Sequence, residues 1–401
     1  VCLDVGTSTV KAALAEVNSG QDLNILGISQ APSFGMRKGN IVDIENTARS
    51  IENCLDELER LTGQSIDSTL ISFSATNVMA IKNNAVVGVG NSSGAITEED
   101  KDRSLQSALK INLPTDKTII QMIERQYIVD GYDGIKDPVG MVGNRLEAEV
   151  VLIAAPTAAW QNLQRSMQRI NLQVERIAFR PLLVAESVLL TSEMEMGVVL
   201  VDIGAGTTEI SFFESGSLAN ASVLPVGGEY ITKDLAIVLR TSIDEARRIK
   251  ESHGIASPEL ARNDLIIEIK DVLGKENKQI SQQVVAEIIS ARVIEIFEMI
   301  YAELKELGCP DQIPGGIVLT GGESKLAGIA RIGEELINIP VRLGSPGNIL
   351  GISAEFNHPQ HAAVLGGIKY AVRNWGDDYE PKEGISHVLS KISYWLQDLF
   401  S

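Results

Sequence analysis

Two stretches of this chain repeat one device, and the repetition limits the folds open to it. Residues 198–216 read "VVLVDIGAGTTEISFFESG": an apolar run enters Asp202, a small-residue turn follows (Gly204, Ala205, Gly206, Thr207, Thr208), and an alternating segment leaves it. Residues 1–17 read "VCLDVGTSTVKAALAEV", with Asp4, then Gly6 and the hydroxyls of Thr7, Ser8 and Thr9, then a second alternation. Alternation of this kind marks a strand with one buried face, so each stretch predicts two strands joined by a tight turn. Glycine lets main-chain N–H groups approach and surround a phosphate, and hydroxyls add donors. A carboxylate beside a phosphate needs a cation between them. Asp4 and Asp202 therefore predict a hydrated Mg²⁺ held jointly by carboxylate and phosphate oxygens. Lys11, seven residues beyond Asp4, is placed to reach a phosphate from the adjoining strand. Two ordinary hairpins are the alternative. The duplication, with a third turn at Gly321 and Gly322 in "GGIVLTGGESKLAGI", weighs against it.

The rest of the composition narrows the class. A chain of 401 residues exceeds one ordinary core and predicts two to four domains. A formal charge of −18 leaves no basic stripe for phosphate neutralisation, so nucleic acid is not an expected partner. Cys2, Cys54 and Cys309 are too scattered for a metal site and read as small buried hydrophobes in a reducing compartment. His358 and His361 read as a solvated loop. No secretory signal is evident and no apolar run reaches the ~20 residues that span a bilayer, which makes the cytoplasm the expected compartment. The chain opens on Val1 rather than methionine, and a few residues are expected to precede it.

A β-β-β-α-β order is built around each Asp-Gly turn, which joins its first two strands. In the first copy "KGNIVDIENTARSIENCLDELERLTG" predicts a helix opened near Asp43 or Glu45 and closed by Gly63, with Ile44, Ala48, Ile51, Leu55 and Leu58 on one face. Between the copies lies an α+β insertion whose helix opens at Thr97, with acidic residues at the positive end of its dipole. After Gly254 a mostly helical block runs to about Pro314, with Val284, Ile288, Val293, Ile296 and Ile300 as its apolar face. The last strand–helix pair is placed through "GGIKYAVR".

These segments resemble the actin/Hsp70/sugar-kinase superfamily in order and spacing. The phosphate segments would be residues 4–9 with Lys11, and residues 202–208; the adenosine segment would be Thr320, Gly321 and Gly322. Within it, "GMRKGNIVDIENTARSI", "YIVDGYDGIKDPVGMVGNRLEAEVVLI", "VLPVGGEYITKDLA" and "RLGSPGNILGI" are similar to the bacterial cell-division family FtsA, over nearly the whole chain. The resemblance implies an α/β actin-like two-lobed ATPase fold with a small α+β insertion in the first lobe. It divides the chain into a first lobe (1–78 and 151–185), the insertion (79–150), a second lobe (186–230 and 315–375) with a helical subdomain (231–314), and a linker with terminal helix (376–401). It further implies ATP with Mg²⁺, nucleotide contacts from Gly227, Gly228 and Lys250, and self-assembly into a filament. The FtsZ C-terminal peptide would dock on the helical subdomain, other division proteins would bind, and the protein would sit on the inner face of the cytoplasmic membrane at the division site. An actin-like adaptor of a pilus or secretion assembly is the second reading; a sugar kinase or chaperone is the third.

Two positions depart from the family pattern. Where superfamily hydrolases place a Gln or Glu to orient water, "ERIAFRPLLVAESVLL" has Arg180, which stays protonated and cannot act as a base. Glu186 on the same helix is the alternative, as a water-positioning or an ion-pair residue, and slow hydrolysis is expected. Three residues before Lys250, where relatives have a ribose-binding Glu, stands Arg247, with Asp244 and Glu245 turned to other faces. The chain ends in "GISHVLSKISYWLQDLFS", where Ile385, Val388, Leu389, Ile392, Trp395, Leu396, Leu399 and Phe400 form a helical apolar stripe. Trp and Phe on such a stripe suit a bilayer interface; a helix docked on protein is the alternative.

Overall fold

The computed structural model describes residues 1–17, 23–90, 94–272, 277–309, 313–347 and 356–375. The predicted duplication is built as two five-stranded sheets of one topology. In the first, β1 (Cys2–Val5) pairs antiparallel with β2 (Thr9–Val17), and β2 with β3 (Leu23–Pro32). A short hairpin of β4 (Met36–Arg37) and β5 (Asn40–Ile41) leads into helix α1 (Ile44–Thr62), and β6 (Ser68–Phe73) returns parallel to β1. Helix α1 starts where the sequence reading placed it, directly after the hairpin that takes up residues 36–41. Asp43 caps it by accepting from the Asn46 amide, Gly63 closes it at φ 70°, and Ala48, Ile51, Leu55 and Leu58 are buried under the sheet.

The insertion is a second small α+β unit. Strands β7 (Met79–Gly88), β8 (Lys117–Val129), β9 (Tyr132–Ile135) and β10 (Arg145–Pro156) form a sheet in the order β7-β10-β8-β9, and α2 (Glu98–Ala108) covers it. The Thr97 hydroxyl accepts from the Asp100 amide while the Asp100 carboxylate accepts from the Thr97 amide, a reciprocal cap. The chain then re-enters the first lobe through α3 (Thr157–Arg169) and β11 (Gln173–Phe179), which joins β6 in parallel. Helix α4 (Arg180–Val188) and the short α5 (Thr191–Met196) cross to the second sheet.

That sheet repeats the plan. Strands β12 (Val198–Ile203), β13 (Thr208–Glu214) and β14 (Ser217–Leu224) form an antiparallel trio. Helices α6 (Gly228–Leu239) and α7 (Ile243–His253), a hairpin of β15 (Ile266–Lys270) and β16 (Asn277–Ser281), and the 25-residue α8 (Gln282–Glu306) intervene. Then β17 (Ile317–Thr320) pairs parallel with β12, α9 (Ile329–Ile337) follows, and β18 (Val341–Leu343) pairs parallel with β17. The sheet orders are β3-β2-β1-β6-β11 and β14-β13-β12-β17-β18, the same path walked twice.

Three expectations are corrected. The mostly helical block after Gly254 also carries the β15–β16 hairpin; on α8, Val293, Ile296 and Ile300 are buried as expected and Ile288 is half-buried against the core, but Val284 is exposed and Val285, Ile289 and Phe297 complete the buried face. Adjacent apolar residues such as Val284 and Val285 leave the edge of a helical stripe undetermined, and packing sets it. "GGIKYAVR" lies wholly in α10 (Ala362–Trp375), which packs on α4 and the first sheet, burying Val364, Leu365 and Ile368 beside Cys2 and Leu70. The segment placed with the second lobe thus clasps the first. His361 is buried rather than solvated, in T-shaped contact with Phe356, and burial lowers its pKa from 6.5 to about 4, with Lys11 and Lys325 adding to the effect. His358 is exposed. Cys2 and Cys54 are buried free thiols and Cys309 is half-buried.

Candidate functional site

The two Asp-Gly turns face each other across a cleft of about 580 Å³ between the sheets. Each turn is closed in the same way, the Gly6 amide donating to the Thr9 carbonyl at 3.1 Å and the Gly204 amide to the Thr207 carbonyl at 2.9 Å. The turns touch. A Cβ on Gly206 would lie 2.5 Å from the Thr7 hydroxyl oxygen, so only glycine admits this approach. Gly6, Thr7, Ser8, Thr9, Gly204, Ala205, Gly206 and Thr207 line the cleft, as do Lys11, Lys250, Gly321 and Gly322. Gly321 has φ 91°, and a Cβ there would strike the Asp202 carboxylate at 2.2 Å, which brings the third turn against the second.

Three predicted site residues stand behind this surface instead of on it. The Thr208 side chain is fully buried and its hydroxyl donates to the Val226 carbonyl at 2.9 Å. Gly227 and Gly228 buttress the second turn; the Gly228 amide donates to the Gly204 carbonyl and the Glu229 amide to that of Ala205. Lys250 donates to Glu323 at 2.6 Å and to the Gly228 carbonyl at 3.2 Å, so it ties α7 to the third turn. Arg247 pairs with Asp244 on the exposed face, and Glu245 pairs with Arg248. Glu251 and Glu323 line the cleft in their place. Glu186 pairs with Arg373 at 2.6 Å and faces a separate groove, away from the turns.

The centre differs from the expected metal bridge. Arg180, the first residue of α4, sends its guanidinium between the two aspartates. Nε donates to Asp4 at 3.0 Å, and Nη1 lies 2.8 Å from Asp202 and 3.0 Å from Glu209. All three carboxylates are at most 3 % exposed. Asp4 is also held by the Ser72 hydroxyl at 2.8 Å. Burial opposes the Arg180 charge, but Asp202, Glu209 and Asp4 together raise its pKa well above the usual arginine value. Burial pushes Glu209 from 4.5 up to about 7, against the pull of Arg180 and with the help of Asp202. Lys11 is depressed by desolvation, which outweighs its attraction to Asp4.

Facing glycine-hydroxyl turns with a lysine between them suit a polyphosphate. Mg²⁺ between Asp4 and Asp202 does not fit, because the guanidinium fills that space. Among the described residues no group of three or more His, Cys, Asp or Glu is arranged to hold a metal. Glu209 is the residue that sequence reasoning missed. It had a signal: Lys11 stands seven residues after Asp4, and Glu209 stands seven after Asp202 at the same register position.

Two lobes of one topology with matching turns around a shared cleft define the actin-like ATPase class. Solved structures share the fold: the PilM-PilN type IV pilus biogenesis complex, with TM-score 0.64 at 15% identity over 92% of this chain and 97% of that one, and MreB5 of Spiroplasma citri bound to ADP, with TM-score 0.56 at 14% identity over 95% and 98%. The family is narrower than the fold. The sequence model for cell division protein FtsA matches residues 199–366, and that for the SHS2 domain inserted in FtsA matches residues 76–154. Cell division protein FtsA of Pseudomonas aeruginosa is 33% identical over 409 residues, covering 100% of this chain and 98% of the relative; that of Bacillus subtilis is 38% identical over 375, covering 93% and 83%. The chain belongs to the FtsA family and is an actin-like cell division protein.

Proposed function

We propose that this protein binds ATP in the cleft as an assembly ligand, polymerises, and tethers FtsZ filaments to the cytoplasmic membrane. The observation that carries the nucleotide step is the contact of the two turns, which puts backbone donors, the Thr7 and Ser8 hydroxyls and Lys11 around one space. Their role is to hold a triphosphate between the lobes, so that the lobe angle, and with it the surfaces offered to a second copy, depends on the ligand. Hydrolysis is slow in this reading. Arg180 stands in the water-positioning place, and Glu209, the nearest candidate base, is engaged by that same guanidinium.

The FtsZ C-terminal peptide is assigned to the helical subdomain of α6, α7 and α8 on family resemblance. Membrane contact is assigned to the stripe from Ile385 to Phe400, which lies outside the described residues, as do residues 348–352 of the "RLGSPGNILGI" motif. Among the described residues no helix is long and apolar enough to cross a membrane, which suits a peripheral attachment multiplied along a filament. Relatives matched over 93–100% of this chain, each a cell division protein FtsA, favour this reading over the pilus adaptor and over an ATP-driven enzyme. The test is single-turnover ATP binding and hydrolysis with protein in excess, alongside co-pelleting with FtsZ and lipid vesicles. Bound, intact ATP with FtsZ in the pellet is expected. Failure to retain ATP removes the assembly-ligand role, and FtsZ left in the supernatant removes the tether.

A further inference from the structure

The charge balance of the cleft points to a substitution of a metal by a side chain. The first turn is balanced within itself, Asp4 lying opposite Lys11 in the β1–β2 register. The second turn is not, because Asp202 lies opposite Glu209 and both are buried carboxylates. The missing charge comes from the connecting helix. Arg180 places Nε 3.0 Å from Asp4 on one lobe and Nη1 2.8 and 3.0 Å from Asp202 and Glu209 on the other. A planar guanidinium can stand at ion-pair distance from three carboxylates at once; here it donates a hydrogen bond to Asp4, while its contacts with Asp202 and Glu209 are ionic and leave both Asp202 oxygens and Glu209 Oε2 without a hydrogen bond among the described residues. Its backbone is also pinned: the neighbouring Phe179 is fully buried and its amide donates to Gln121 Oε1 at 2.7 Å, while Pro181 follows in the first helical turn. A Mg²⁺ ion requires oxygen ligands at about 2.1 Å in a near-octahedral set. Entry between the aspartates would break these ion pairs and set a divalent charge against a buried cation.

We propose that Arg180 is the resident cation of this cleft, standing where a divalent metal would otherwise bridge Asp4 and Asp202, so that the turns hold a nucleoside polyphosphate without a metal ion between the two carboxylates. This rests on the nucleotide-binding reading and goes beyond it. ATP binds in chelator as it does in magnesium, and the apo protein gains no stability from divalent ions. Removing the guanidinium leaves Asp4, Asp202 and Glu209 facing one another, and the variant acquires the metal dependence that the wild type lacks.

The experiment measures ATP affinity of the full chain by calorimetry in magnesium and in EDTA, and melting temperature with and without Mg²⁺ or Mn²⁺ and no nucleotide. Wild-type affinities within about threefold of each other in the two buffers are expected. In Arg180→Gln the melting point falls and added Mn²⁺ or Mg²⁺ restores it, while Arg180→Lys, which keeps one charge, responds less. Loss of wild-type affinity by roughly tenfold or more in EDTA overturns the proposal, as does a wild-type melting point raised by Mg²⁺ alone. If Arg180→Gln does not fold, the wild-type arms decide. If ATP binds in neither buffer, the nucleotide reading fails, and the metal-only melt still tests whether Arg180 excludes a divalent ion.

Discussion

Glu209 gives the sharpest quantitative test of the cleft's electrostatics. Its carboxyl is buried beside Asp202, and desolvation lifts its pKa from 4.5 to about 7 despite the guanidinium 3.0 Å away. A carboxyl whose folded pKa is raised adds stability that is fully present below its unfolded pKa and is lost as pH rises through the folded one. The full rise corresponds to about 3 kcal/mol. Between about pH 5.5 and about pH 8 the loss is roughly 2 kcal/mol, since part of the window lies outside both pKa values. His361 works in the opposite sense. Buried neutral, with its pKa lowered to about 4, it gains stability as pH rises towards 6.5, so the wild-type profile alone is a partial cancellation. The subtraction removes it. Urea midpoints of the full chain and of Glu209→Gln, measured across that window, should diverge by about 2 kcal/mol in favour of the glutamine as pH rises. A pH-independent difference would show Glu209 ionised throughout, with Arg180 outweighing burial, and would refute the reasoning.

Other expectations are simpler. Lys11→Met should weaken ATP binding by roughly tenfold or more, because it removes a cation from a desolvated phosphate site, and calorimetry reads it; unchanged affinity would place the phosphates elsewhere. Gly366→Ala should lower stability by about 1–3 kcal/mol, since the new Cβ would lie 1.8 Å from the Leu183 carbonyl where α10 crosses α4; a urea midpoint like that of the wild type would mean that the crossing yields freely. Glu186→Gln should leave single-turnover hydrolysis unchanged, its partner being Arg373 outside the cleft; a slower turnover would restore Glu186 as a water-positioning residue.

The parts of this protein legible in its sequence are those where one local rule dominates. The Asp-Gly-hydroxyl turns were readable because a tight turn between alternating strands needs small residues in a fixed order, and the structure closes both in the same way. Helix α1 was readable from its cap, its stripe and Gly63. The edge of the α8 stripe was not, since the adjacent pair Val284 and Val285 leaves it undetermined until α6 and α9 pack against it. The side on which α10 lies was equally hidden, because its apolar face fits either sheet and only the close approach to Leu183 and Cys2 fixes it on the first.

The cleft's centre shows why composition of a site is weaker evidence than its geometry. Two buried aspartates beside glycine–hydroxyl turns call for a cation, and that inference is sound as chemistry. What it could not specify was the kind of cation, because Arg180 lies 176 residues from Asp4 and only 22 before Asp202 along the chain. No spacing rule links those positions; the connecting helix does, by starting where both sheets end. Reading Arg180 as a missing water-positioning residue captured what it cannot do. The structure adds what it does: it pairs with three buried carboxylates at the point where the lobes meet. A residue that bridges the lobes in this way is placed to act on cleft opening, whatever the hydrolysis rate. On the proposed reading of the nucleotide as an assembly ligand, that is the more consequential role, since assembly would then depend on how the lobes are held and not on how fast a bond is cut.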